Sequence, residues 1–465
     1  MDSSDSGGDF LQRILGDLLQ VMGTSTPGNA APVELARTLA QGIATGGEPE
    51  RNVEPVERMA YEELARIADM HVTEITGLPT APAGATVEVV PTTPGVWAWQ
   101  TLEDWRFLFD AATTRSTTAS SNTPGATARR EPDLLNADHP LDQPGVNLPP
   151  DDVNPPRDDD TRSSDLNELG ANNLDALSKL GNLDALGPMG SSGESADLMG
   201  DPSDMFAKLM ATMSPMLAAT QLGSAIGHLA RNTLGQYDLP VPRTASPRIM
   251  LIPANVTRFA EEWSLPLDQV RLWLCLRELA THSVLSLPHV NVRMRELLST
   301  VVSGLVEDTA QIADRLGELD PADPEILQRL MGNPGSLLGS EPPPARMRAG
   351  EELTAIVSVL LGYVEHVLDV AGTRLLGGRS ALTEAWRRRQ VNSEGSDRAA
   401  ELLLGLDLSP TQVDRGIAFV RGIIDRAGKD GLALLWGSSN SLPTPNEVDA
   451  PGLWLERVRM DAQDQ

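Results

Sequence analysis

Cysteine, basic residues and long hydrophobic runs are all scarce in this sequence of 465 residues. The single cysteine, Cys275, excludes a disulfide-stabilised fold and any cysteine-rich zinc or iron–sulfur site, because those need several thiolates. Only 37 Lys and Arg stand against 65 Asp and Glu, and the net charge of −28 argues against nucleic acid as a partner. No run approaches the roughly 18 to 20 apolar residues of a membrane-spanning helix, and the acidic N-terminus lacks the basic region of a secretory signal. We therefore expect a cytoplasmic protein with no membrane contact.

Histidines and aromatic residues are few, so each can be considered singly. Any metal would have to bind carboxylates and some of the six histidines, which are His71, His139, His228, His282, His289 and His366. Aromatic residues make up only 4% of the chain, yet five lie close together in the sequence at Trp97, Trp99, Trp105, Phe107 and Phe109. Because large rings commonly anchor cores, this group predicts a small helical core rather than a ligand platform.

The spacing of the apolar residues predicts a mainly α protein with one small β element, at Arg248 to Ile252. We expect an N-terminal helical region at 1–115, an acidic insertion at 116–204, a larger globular domain at 205–457 and a tail at 458–465. In the first region, an apolar stripe from Phe10 to Leu19 predicts a helix that ends near Gly23. Further helices are predicted at 33–43, 56–70, 205–234, 255–263, 268–285, 290–316, 351–371, 381–390, 397–404 and 410–427.

The insertion at 116–204 differs in composition from the rest of the chain. It contains no aromatic residue and carries 17 acidic and 5 basic side chains, a net charge of −12. Such a segment cannot bury enough apolar area to offset its ordering entropy, so we expect disorder. Within it, the sequence Asn173-Leu-Asp-Ala-Leu177 recurs at Asn182-Leu-Asp-Ala-Leu186. The repeat is either weak helical propensity in a linker or a short motif that folds in the groove of a protein partner.

One stretch of the predicted helix at 268–285 has the outline of a zinc-peptidase motif. An HExxH helix places two His side chains on one face, and the Glu after the first His polarises a metal-bound water. Here Glu278 occupies the Glu position, whereas Arg277 and Thr281 occupy the two His positions. Arg277 cannot lose its proton and so cannot bind a metal. His282 falls one residue too late and projects onto a different face of the helix.

With these residues, the sequence resembles the actinobacterial zincin-like metallopeptidases, a family of hydrolases of unassigned substrate. The resemblance covers roughly residues 205–457. The acidic segment resembles an insertion that the family's pattern does not contain. The order and spacing of several pieces carry it: Leu251-Ile-Pro-Ala-Asn255, Arg258-Phe-Ala260, Leu265-Pro266, the Arg277-Glu278 helix, His289-Val290, Leu360-Leu-Gly-Tyr-Val-Glu-His-Val367, Arg387-Arg-Arg389, Leu404-Gly-Leu406, Leu435-Trp436 and Leu442-Pro-Thr444.

The resemblance implies a zincin-like helical domain and zinc-dependent hydrolysis, but the ligand positions differ. The family's third zinc ligand is the Glu of a Glu-Gly-aromatic element, which matches Leu361 followed by Gly362 and Tyr363. Only Glu278, the water-polarising residue, matches the pattern. A carboxylate without a metal cannot generate a hydroxide at neutral pH. The resemblance therefore supports the zincin-like fold but argues against zinc-dependent catalysis.

Three functions follow from this pattern, and one of them is a purely structural scaffold that uses the acidic segment, which sequence alone does not separate from the favoured function. The favoured one is a homologue whose metal site is lost, with no cofactor, which acts as an interaction or regulatory protein; Arg277 then pairs with Glu278 or Glu365. The alternative is an active zinc hydrolase with a rebuilt site of Glu278, His282 and Glu365, although Glu365 lies about 6 Å along the helix from position 361.

The basic run Arg387-Arg-Arg389 is either a solvated helix end or a docking site for the acidic segment.

Overall fold

The computed structural model describes residues 30–81, 85–111, 202–318, 343–375, 380–391 and 395–463. The predicted helix at Phe10 to Leu19 and nearly all of the acidic insertion, including its repeat, lie outside the described residues. The described residues are mainly helical, as the sequence predicts, and they include one small sheet.

Ten of the described helices lie close to their predicted positions, whereas those at Pro94–Asp104, Pro445–Val448 and Pro451–Gln463 were not predicted. Many of them begin at a proline, whose fixed φ suits the first helical turn and whose missing N–H is not needed there. The helix Pro55–Thr76 ends where Gly77 adopts φ 67°, a left-handed conformation that glycine accepts without strain. The helices are α1 (Ala30–Thr45), α2 (Pro55–Thr76), α3 (Pro94–Asp104), α4 (Pro202–Asn232), α5 (Pro253–Glu262), α6 (Leu267–Leu285), α7 (Pro288–Glu318), α8 (Pro344–Leu375), α9 (Ser380–Val391), α10 (Gly395–Leu403), α11 (Pro410–Ala433), α12 (Pro445–Val448) and α13 (Pro451–Gln463).

A two-stranded parallel sheet joins the N-terminal part of the chain to the rest. Strand β1 (Glu88–Pro91) pairs with β2 (Arg248–Leu251), so that Val89 lies opposite Ile249. Strand β2 is the predicted β element, whereas β1 was not predicted. Because of this pairing and of the packing of α1 against α4, the described parts of the predicted N-terminal region and of the predicted larger domain belong to one compact unit.

Helix α6 lies at the centre of this unit. Every residue from Trp273 to Leu285 is buried, including the charged ones, because α2, α5, α7, α8 and β2 all pack against it. The aromatic group near α3 contributes to the same core: Trp97, Trp105 and Phe109 are buried, while Trp99 is 37% exposed. The candidate motif therefore lies on the most enclosed helix of the fold.

Helix α8 is long and apolar enough to cross a membrane, judged by length and composition alone. It is the one such helix among the described residues, and 72% of its most apolar window is buried inside the protein. Its central side chains, from Ala355 to Val364, pack against the core. This packing accounts for the apolar character of α8.

Candidate functional site

Arg277 and Glu278 are adjacent on α6 and are both buried, at 3% and 0% exposure. An Nη1 of Arg277 lies 3.4 Å from Oε1 of Glu278, so the pair predicted from the sequence is present. The other carboxylate oxygen of Glu278 accepts a hydrogen bond of 2.8 Å from the backbone N–H of Tyr237. Both oxygens of the one residue that matches the catalytic pattern are thus engaged by the protein.

The loop that follows α4 supplies the second wall of the site. A Cβ placed on Gly235 would lie 2.6 Å from Cδ of Glu278, so only glycine allows the loop to approach the carboxylate this closely. The Gly235 carbonyl accepts hydrogen bonds from Nε1 of Trp97 at 3.1 Å and from the Thr233 hydroxyl at 2.9 Å. These bonds hold the loop against α6.

Asp238 extends the Arg277–Glu278 pair into a network of four ionisable side chains. Its Oδ1 lies 3.7 Å from Nη1 of Arg277, and its Oδ2 lies 3.2 Å from Nη2 of Arg389 on α9. The two guanidinium groups also lie over the ring of Trp386, at 4.3 Å for Arg277 and 4.9 Å for Arg389. We call these residues, Glu278, Arg277, Asp238 and Arg389, the charge network.

Burial is the dominant influence on Glu278. It raises the pKa of Glu278 to about 8; Asp238 adds to this rise, and Arg277 and the Tyr237 N–H oppose it. The short distance to Arg277 favours the ionised form of Glu278. However, the same guanidinium also lies near Asp238, and its Nη1 donates a hydrogen bond of 3.3 Å to the Tyr237 carbonyl oxygen. We conclude that desolvation prevails and that Glu278 holds its proton near neutral pH.

His282 lies in the core next to this network but is not part of it. Its Nδ1 is 2.8 Å from the Tyr237 hydroxyl, and the side chain is 3% exposed. Burial lowers the pKa of His282 to about 4, with a smaller opposing effect from the backbone of Thr80. The ring is therefore neutral at pH 7. Its Nε2 makes no hydrogen bond of ordinary geometry within the described part of the chain, although the Thr80 backbone is close enough to act on the ring.

The other two positions that the sequence resemblance assigns to zinc ligands are Thr281 and Leu361, whose side chains are not metal ligands. The Thr281 hydroxyl donates to the Arg277 carbonyl at 2.9 Å, the ordinary bond of a threonine inside a helix. Leu361 is an apolar core residue of α8 with 7% exposure.

Glu365 lies on the wall of a cavity, together with His366 and residues of α9 and α11. Among the residues that the structure describes, no group of three or more His, Cys, Asp or Glu is placed to hold a metal ion. Glu278, His282 and Glu365 are all described, and they form no such group.

Three members of the site were missed from the sequence: Tyr237, Asp238 and Arg389. The first two lie in a loop about 40 residues before Glu278, where Gly235 and Pro240 mark a break in the sequence but nothing indicates which residue they contact. Arg389 belongs to the basic run that was predicted to be solvated or to dock the acidic segment. Arg387 and Arg388 are 51% and 62% exposed, whereas Arg389 is 24% exposed and pairs with Asp238.

Comparison with known proteins gives a family and a fold. The profile of a family described as zincin-like metallopeptidase matches residues 32–455, a span that includes the N-terminal helices as well as the region of the sequence resemblance. No match was found among curated protein sequences. A crystal structure provisionally described as that of a hydrolase with a novel fold, from Chloroflexus aurantiacus, is similar at a TM-score of 0.50 and 18% identity, covering 92% of this chain and 98% of that one.

Proposed function

Because the chain belongs to the zincin-like metallopeptidase family, we propose that it is a member in which the charge network stands where the zinc site would be. In this proposal the protein is not a metallopeptidase; it acts as an interaction or regulatory protein built on the family's fold. The observation that carries the proposal is the position of Arg277, whose guanidinium lies between the carboxyl groups of Glu278 and Asp238, at 3.4 and 3.7 Å.

The side chains at the site do not fit zinc. A zinc ligand must present a lone pair, and the guanidinium of Arg277 offers five N–H donors and no acceptor. The hydroxyl of Thr281 is engaged by its own helix, and Leu361 has no polar atom. Glu278 alone cannot replace the metal, because lowering the pKa of a water to about 7 is the contribution of the ion.

Metal analysis of the protein tests the proposal directly. Wild-type protein purified without chelator should contain no stoichiometric zinc by inductively coupled plasma mass spectrometry. The triple variant Arg277→His, Thr281→His, Leu361→Glu should acquire zinc affinity, because it supplies two imidazoles one turn apart and a carboxylate at the third family position. The matched control Arg388→His, on an exposed surface, should not. One equivalent of zinc in the wild type would refute the proposal.

The alternative function is a zinc-dependent hydrolase with a rebuilt site. The observation in its favour is Nε2 of His282, a buried ring nitrogen with no hydrogen bond to a described residue. This alternative requires Glu278 and Glu365 as further ligands, which the described structure does not bring together with His282, so the side chains would have to rearrange around the metal. Zinc in the wild type that is lost in His282→Ala would support it and would count against the favoured proposal.

We also propose, from the sequence alone, that the acidic segment binds a protein partner through its repeat. Its net charge of −12 would speed the approach to a basic surface, and the leucines would supply the apolar contacts that set affinity. In a pull-down from native lysate, a variant with the four leucines changed to serine should lose the partner while keeping the melting temperature of the wild type. Undiminished capture would rule out the repeat as the anchor. The leucines are Leu174, Leu177, Leu183 and Leu186.

A further inference from the structure

Helices α1 and α4 lie side by side and run in the same direction. A Cβ on Gly223 of α4 would lie 2.6 Å from the Ala36 carbonyl oxygen of α1. A Cβ on Gly227, one turn later, would lie 2.9 Å from the Ala40 carbonyl oxygen. Only glycine allows the two backbones to approach so closely at these two levels. Because the residue numbers increase together along both helices, the start of α1 points toward the start of α4.

Helix α4 extends well beyond the start of α1. Six residues separate Ala30, where α1 begins, from Ala36, so Ala30 is level with about residue 217 of α4. Because α4 begins at Pro202, it continues for about 22 Å past that level. We call residues 202–216 the first half of α4. The chain therefore enters α1 beside the first half of α4.

The face of α4 that α1 covers changes in character where α1 begins. Beside α1 this face carries glycine, at Gly223 and Gly227. At about 100° per residue, Met205, Leu209 and Met216 lie within about 40° of the direction of Gly223. Met216, which is among the described side chains, is half-buried. Small residues suit the close approach of α1, whereas large apolar residues suit a partner that interdigitates its own side chains with them.

Residues 10–19 have the pattern that such a partner needs. The connection from this segment to α1, residues 20–29, can span up to about 35 Å, which is more than the length of the first half of α4. We propose that residues 10–19 form a helix that packs on the first half of α4, against Met205, Leu209 and Met216. Its apolar residues recur at the spacing of one helix face, at Phe10, Leu11, Ile14, Leu15, Leu18 and Leu19.

The covalent connection favours this occupant over a separate protein or a second copy of the chain. A link of this length keeps the segment at an effective concentration on the order of millimolar. A helix of about ten residues is marginal by itself in water, so the face of α4 also stabilises the helix that covers it. The polar side of the segment, with Arg13 and Gln20, stays in solvent. Packing thus buries two apolar faces at once.

Disulfide trapping in the full chain tests this proposal. Leu15 and Leu209 lie near the centres of the two packed segments, so they are close whichever way the new helix runs. The single native cysteine, Cys275, is buried. Leu15→Cys with Leu209→Cys should form an intramolecular disulfide at least about tenfold faster than Leu15→Cys with Glu456→Cys, whose second position is exposed on α13. Equal rates would overturn the proposal. A disulfide that forms only between chains, with a yield that rises with protein concentration, would also overturn it, because the occupant is then a second copy.

Amide hydrogen exchange keeps the test independent of new cysteines. Leu15→Asp places a charge in the apolar stripe, whereas the matched control Gln20→Asp places the same charge on the polar side. Exchange at 203–216 should be about tenfold faster in Leu15→Asp, because burial of one leucine shifts an opening equilibrium by that factor or more, and unchanged in Gln20→Asp. Exchange in α6 should be unchanged in both variants. Unchanged exchange at 203–216 in Leu15→Asp, or an equal acceleration in α6, would overturn the proposal. No residue of the charge network is changed, so the result is independent of the zinc analysis.

Discussion

Replacing Arg277 by methionine should expose the energetic role of the charge network. Arg277 is 3% exposed and contacts Glu278, Asp238 and the Tyr237 carbonyl at 3.4, 3.7 and 3.3 Å. Methionine keeps much of the aliphatic volume but removes the charge and the donors. Both carboxylates then lose a buried cation, and water cannot replace it.

The expected loss is about 3 kcal/mol at pH 9. Breaking a buried ion pair by removing one partner costs about 3 to 5 kcal/mol, and loss of the guanidinium over Trp386 adds about 1 kcal/mol. Asp238 keeps Arg389 at 3.2 Å, which places the total near the lower end of this range. At pH 6 the loss should be smaller. The raised pKa of Glu278, about 8, means that its carboxyl is protonated at that pH and leaves no isolated negative charge.

Urea unfolding followed by circular dichroism measures this loss, and a double-mutant cycle with Glu278→Gln isolates the pairwise part. We expect a coupling energy of about 1 to 3 kcal/mol at pH 9 that falls below about 1 kcal/mol at pH 6. Arg388→Met is the control. It removes an arginine that is 62% exposed and paired with Glu384, so it should change stability by less than about 1 kcal/mol. A coupling under about 0.5 kcal/mol at pH 9, or equal coupling at both pH values, would show that the network does not carry the energy assigned to it.

Two further predictions concern the same region. Gly235→Ala should destabilise the protein by about 1 to 3 kcal/mol in urea unfolding, because its Cβ would overlap Glu278, whereas Gly350→Ala, with open space around it, should be neutral or slightly stabilising. The raised pKa of Glu278 also makes stability depend on pH, because the folded protein binds the proton of this carboxyl more tightly than the unfolded chain does. The contribution of the bound proton to the free energy of unfolding is full below pH 4.5 and is lost as the pH rises through about 8. In Glu278→Gln this part of the decline in stability should disappear; an unchanged profile would contradict the raised pKa.

Much of the fold could be predicted because helical periodicity is local. The predicted helix at 268–285 and the observed α6, Leu267–Leu285, differ by one residue. Strand β1 escaped prediction because it has only four residues, one of them proline, and its partner lies about 160 residues away. A short strand is stabilised by the neighbour with which it pairs, and a pairing over that distance leaves no mark in a single sequence.

The candidate site also has one part that local sequence predicts and another part that depends on tertiary packing. Arg277 and Glu278 are consecutive, and their spacing to Thr281 is fixed by one helix, so the comparison with the zinc motif needed only local sequence. Asp238 and Arg389 come from a loop and from α9, and only tertiary packing brings their side chains to α6. The pKa of Glu278 depends on that packing as well, because complete burial is its main cause. Sequence spacing could therefore predict the pair of Arg277 and Glu278 but not the network around it.

The charge network and a zinc ion differ in one property that bears on how such a protein could evolve. Zinc exchanges with solution, so a fold that depends on it loses stability when the metal is removed. Arg277 is covalently part of α6 and cannot dissociate, so wild-type stability should not respond to a chelator. In the triple variant Arg277→His, Thr281→His, Leu361→Glu, the buried Glu278 and Asp238 lose the guanidinium. That variant should be less stable than the wild type in a chelator and should regain about 4 kcal/mol at a zinc concentration 1,000 times its dissociation constant. Under the proposal that the metal site is lost, loss of the metal ligands and gain of Arg277 compensate each other, because either change alone would remove the cation that faces Glu278.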